Sequence, residues 1–87
     1  MKWEIRYEKP AIKYLATLEQ KEQERIKNEI SKLSDGPFHR KDLDIKMLKG
    51  RSGWLLRVGK YRVIFAVYRL EIRINVLEIG PRGDVYK

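Results

Sequence analysis

The sequence has no cysteine, which excludes a disulfide framework, thiolate metal ligands and a cysteine nucleophile. It has a single histidine, His39, so a histidine pair for metal binding or acid–base exchange is excluded too. No apolar run approaches the roughly 20 residues of a membrane-spanning helix. Charges recur too often in Met1-Lys2-Trp3-Glu4-Ile5-Arg6 for the apolar region of a signal peptide. The carboxylates do not gather at metal-ligand spacing, and Gly50-Arg51-Ser52-Gly53 lacks the strand and lysine context of a phosphate-binding loop. These absences predict a soluble protein of the reducing cytoplasm, with no membrane association, metal or cofactor.

What is present is positive charge. Lys and Arg number 20 against 12 Asp and Glu, giving a net charge of +8. Such a field attracts polyanions, so nucleic acid or an acidic protein is the natural partner, although solvated lysines alone give the same total. With 87 residues, 43% of them hydrophobic, the chain fits one domain spanning 1–87.

Trp3, Ile5 and Tyr7 alternate with Glu4 and Arg6, the period-two pattern of a strand with one wet face. Pro10 suits the first turn of a helix from about Lys9 to Leu18, with Ile12, Leu15, Ala16 and Leu18 at helical spacing. A second helix, from about Lys21 to Leu33, carries a narrow stripe of Ile26, Ile30 and Leu33 and ends at Ser34-Asp35-Gly36-Pro37. The segment Phe38 to Gly53 stays open. Trp54–Val58 and Tyr61–Tyr68 read as a hairpin, joined by Gly59-Lys60 in a type II′ turn. Ile72–Ile79 then completes an antiparallel meander. The predicted class is α+β: an N-terminal strand and a two-helix hairpin packed on an antiparallel three- to four-stranded sheet.

Strand parity places Trp54, Leu56, Val58, Val63, Phe65 and Val67 on one face, which the helices should cover. Arg57 and Arg62 fall on the other, expected to be half exposed. Their guanidinium groups suit bidentate phosphate binding and hold their charge at any relevant pH. The alternative is ordinary surface ion pairing with Glu71, Glu78 or Asp84. His39 stands among polar neighbours and reads as a solvated loop residue. The outer face of the second helix is interrupted by Glu22, Glu24 and Glu29, and reads as solvated rather than as a nucleic-acid stripe.

Three stretches carry a family resemblance: Leu43-Asp44-Ile45-Lys46-Met47-Leu48-Lys49-Gly50, Trp54 through Val63, and Gly80-Pro81-Arg82-Gly83-Asp84-Val85-Tyr86-Lys87. In that order they resemble the RelE/ParE superfamily of toxins from toxin–antitoxin pairs. Its RelE branch consists of ribosome-dependent endoribonucleases that cut mRNA. The resemblance implies catalytic roles for Arg57, Arg62, Arg82 and Tyr86, and RNA binding by Lys46, Lys49, Arg51, Lys60 and Lys87. The implied partners are the ribosome with its mRNA and a cognate acidic antitoxin, held in a hetero-oligomer. The implied reaction is metal-independent attack of a ribose 2′-hydroxyl on the adjacent phosphate. Leu55 stands where the best-known RelE pattern has lysine, and Pro81 where many relatives have histidine, so Lys46 or Lys49 is a candidate substitute. The alternatives are a ParE-like inhibitor of DNA gyrase and a non-catalytic basic module that binds RNA or protein.

Overall fold

A computed structural model describes residues 2–39 and 41–81. The elements, in chain order, are β1 (Glu4–Tyr7), α1 (Lys9–Ala16), α2 (Gln20–Ser31), a 3-10 turn (Lys32–Asp35), β2 (Asp44–Met47), β3 (Trp54–Val58), β4 (Tyr61–Tyr68) and β5 (Arg73–Pro81). Helix α1 starts with Pro10 in its first turn, as its locked φ favours. It ends at Ala16, two residues short of the expected end, where the Thr17 hydroxyl and amide both donate to the Tyr14 carbonyl, at 2.7 and 3.0 Å. The Gln23 side-chain amide donates to the Leu18 carbonyl at 3.0 Å and ties the interhelical link to α2.

The strands form one sheet in the order β1-β5-β4-β3-β2. The predicted β3–β4–β5 meander is present, antiparallel throughout. Two features enlarge the predicted sheet to five strands and make it mixed. The N-terminal strand joins it beside β5 and runs parallel, with Glu4 opposite Arg73 and Tyr7 opposite Val76. The segment left open supplies β2, antiparallel to β3. Its Asp44-Ile45-Lys46-Met47 is half charged and mostly exposed, which is how an edge strand reads and why its structure stayed open in the sequence.

Both helices lie on one face. Ala11 and Leu15 of α1 and Ile26 and Ile30 of α2 are buried against Leu56, Val58, Val63 and Phe65, the face that parity assigned to them. The other face departs from expectation at its centre. Leu55 and Ile64 are only 1% and 2% exposed, in a second cluster with Leu48 and Leu77. A bulge explains how Leu77 gets there: Ile64 lies opposite Glu78 and Phe65 opposite Val76, so Leu77 is an extra residue. Among the described residues no helix is long and apolar enough to cross a membrane.

Candidate nucleic-acid interface on the open sheet face

Residues directly opposite one another on neighbouring strands share a face. One such row runs Asp44, Arg57, Arg62, Gly80 across β2, β3, β4 and β5. Arg57 and Arg62 are therefore immediate neighbours, both partly buried. Two guanidinium groups set opposite each other on one face concentrate fixed positive charge there. Asp44 supplies one carboxylate at the edge. Arg62 is positioned by backbone: its Nε donates to the Pro81 carbonyl at 3.0 Å. Its guanidinium also lies over Gly80, where an added Cβ would stand 3.5 Å from Nη2.

The next row runs Lys46, Leu55, Ile64, Glu78. Lys46 thus reaches the face that carries the arginines, with the apolar pair between it and Glu78. Arg51 is engaged with Glu78 at 3.4 Å, both about half exposed, an ion pair worth roughly 0–1 kcal/mol. Lys49 stands exposed on the connection between β2 and β3. Lys60 sits on the β3–β4 turn with its ammonium 5.8 Å from the Tyr61 ring centre. His39 is exposed in a turn. Arg82, Tyr86 and Lys87 lie outside the described residues, as does Asp84.

Two polar residues of α2 reach the same neighbourhood without having been singled out from the sequence. Arg25 and Asn28 line a cavity with Arg57, Val58 and Gly59. The available signal was their spacing: positions 25 and 28 are i and i+3, on the border of the buried Ile26 and Ile30 stripe. Below the same turn, Tyr61 is buried, and its phenol is held above its ordinary pKa of 10.0 first by burial and then by a hydrogen bond and the charge of Glu22, with Arg25 opposing. Burial likewise raises the Tyr7 phenol. Among the described residues no group of three His, Asp or Glu side chains is placed to hold a metal ion.

The arrangement is that of fixed cations on a partly dry surface. It can bind an anion and stabilise charge that grows on it; arginine is a poor mover of protons. No family model matches the chain. The candidate toxin RelE1 of Methanocaldococcus jannaschii is 31% identical over 88 residues, covering 100% of this chain and 98% of that protein. The chain belongs to the RelE toxin family. Its fold agrees with solved RelE structures. A chain of the archaeal RelE–RelB complex from Pyrococcus horikoshii OT3 matches with a TM-score of 0.81 and 28% identity, over 97% of this chain and 99% of that one. A chain of the RelB–RelE antitoxin–toxin complex from Methanococcus jannaschii matches with a TM-score of 0.72 and 26% identity, over 93% and 94%. Of the four residues expected to be catalytic, the described part of this RelE-family chain contains Arg57 and Arg62, side by side in one row.

Proposed function

We propose that this protein is the toxin of a toxin–antitoxin pair and cuts mRNA on the ribosome. The observation that carries the reading is the juxtaposition of Arg57 and Arg62 on the open face, two fixed cations placed to act together on one RNA phosphate. In the reaction the ribose 2′-oxygen bonds to phosphorus and loses its proton, while the bond from phosphorus to the 5′-oxygen breaks and that oxygen gains a proton. Negative charge on the non-bridging oxygens rises in the transition state, and preorganised cations lower its energy more than that of bound substrate. Arg62, held by Pro81 and Gly80, takes this role with Arg57 beside it. Arg82 is assigned with them, and Tyr86 to base stacking or proton transfer. Lys46, Lys49, Lys60 and Lys87 hold the RNA backbone, with Arg51 recruited from Glu78.

Two of the similar solved chains come from complexes of RelE with RelB. A cognate acidic antitoxin accordingly covers part of the arginine row in this protein, drawn by complementary charge. Primer extension on an mRNA translated in a purified system tests the reading. New ribosome-dependent 3′ ends with the wild type, absent with Arg62→Ala, are expected. Intact mRNA with both proteins would overturn it, and inhibited gyrase supercoiling alongside would point to the ParE-like activity instead.

A further inference from the structure

The outer edge of β1 is open, and an apolar groove adjoins it. On its inner side β1 pairs with β5, the Glu4 and Glu8 amides donating to the Ile72 and Val76 carbonyls at 3.0 and 2.9 Å. Successive residues of a strand turn their backbone groups to opposite sides, so Ile5 and Tyr7 present theirs outward. The 3-10 turn closes the first outward position, where the Trp3 amide donates to the Ser34 carbonyl at 2.8 Å. Beyond it, no described residue pairs with the backbone of Ile5 or Tyr7 on that side. Both side chains pack on the helix-covered face, and Tyr7 lines the groove with Ile12, Leu15 and Ala16 of α1 and Gln23 and Lys27 of α2. Ile12 is 52% exposed there, a large aliphatic side chain left without cover.

We infer that this strip is a docking site for an extended segment of the acidic antitoxin, which adds to β1 as a sixth strand and inserts alternate side chains into the groove. The partner's identity rests on the toxin–antitoxin reading given above. The site itself is apart from the arginine row, since the groove lies on the helix side of the sheet and Arg57 and Arg62 on the open side. Backbone pairing at a free edge supplies affinity whatever the sequence, and pockets for every second side chain supply selection. The groove encloses about 400 Å³, within the span of ligand-binding clefts, so it takes whole apolar side chains. Charge selects an acidic occupant. Lys9 and Lys13 flank Ile12 and Ala16 on the exposed side of α1, Lys27 lines the groove from α2, and none of the three pairs with a carboxylate among the described residues. The nearby carboxylates are mostly engaged: Glu4 with Arg6 at 2.8 Å, Glu8 as acceptor from the Asn75 amide at 2.9 Å, and Glu24 from the Gln20 amide at 3.2 Å. That sets three unengaged ammonium groups against one unengaged carboxylate, Glu19. A second copy of this chain would bring +8 of its own to the same edge, which opposes self-pairing.

Amide hydrogen exchange on the full chain reads the edge directly, with the acidic protein encoded beside the toxin as the probe. In the free toxin the Ile5 and Tyr7 amides should exchange faster than those of Glu4 and Glu8; in the complex they should slow by about tenfold or more. Ile12→Lys should weaken antitoxin binding about tenfold by removing apolar contact in the groove. Lys27→Glu should slow association at low salt, a difference that fades as salt rises. Both are exposed helix positions, and denaturation midpoints confirm that each variant is folded. Neither substitution should change ribosome-dependent cleavage by the toxin alone. A complex in which Ile5 and Tyr7 exchange as they do in the free toxin, or whose affinity Ile12→Lys leaves unmoved, would overturn the docking site while the toxin–antitoxin reading stands. Protection already present in the free toxin and lost on dilution would assign the edge to a second copy of this chain and overturn it equally. No complex with the wild type would overturn both.

Discussion

Tyr61 and Arg62 are consecutive residues on opposite faces of β4, and each has its environment set by what lies across the strands. Arg62 meets another arginine and a glycine; Tyr61 faces the helices, where burial and Glu22 keep its phenol neutral. The sign of the consequence is fixed. An unfolded phenol ionises near pH 10 and the folded one above that, so the stabilisation is whole below about pH 10 and is lost as pH rises through the folded value. Tyr61→Phe should flatten the fall in stability on the alkaline side, read from urea midpoints between neutral pH and about pH 11. An equally steep fall in the variant would contradict this. Tyr7, raised by burial, contributes with the same sign and leaves a residual slope.

At the scale of elements, the β3–β4 hairpin governs the candidate anion site, since its strands carry Arg57 and Arg62. Gly59 has φ of 56°, a conformation that costs an L-residue about 1–2 kcal/mol, before its Cβ meets Arg25. Gly59→Ala should destabilise the fold by at least that much in chemical denaturation; a variant as stable as wild type would show that the turn relaxes freely. Phe65→Ala, at a fully buried position of the same hairpin, should cost about 3–5 kcal/mol. This hairpin was legible in the sequence because Gly59-Lys60 separates two β-branched and aromatic runs, and parity then sorted the arginines from the core. Strand β2 was not, because a half-charged edge strand lacks alternation strong enough to separate it from a loop. The parallel docking of β1 and the burial of Leu55 and Ile64 also escaped, since they depend on long-range pairing and on a bulge that turns Leu77 inward. Arg25 was hidden by composition: the glutamates of α2 make its outer face look solvated, and only the fold brings one arginine against Gly59.

For the molecule as a whole, a charge of +8 is spread over the surface: Arg57 and Arg62 flank the β3–β4 turn, while Arg51 and Arg69 on connections and Arg73 at the start of β5 stand at the opposite end of the sheet. Association with an acidic antitoxin should therefore slow steeply as salt rises, because complementary charge acts mainly on the encounter rate. Stopped-flow mixing would measure this, and an association rate indifferent to salt would show that the antitoxin is not drawn by the positive charge of the chain. The measurement that bears most directly on the arginine row is a single-turnover comparison of mRNA cleavage on programmed ribosomes by wild type, Arg57→Ala, Arg62→Ala and the double variant. Arg62→Ala should lower the rate by about 100-fold or more, Arg57→Ala by less, and the double variant by less than the product of the two, because both cations act on one phosphate. Wild-type rates in Arg62→Ala, or fully independent effects of the two substitutions, would contradict a shared role at the scissile phosphate.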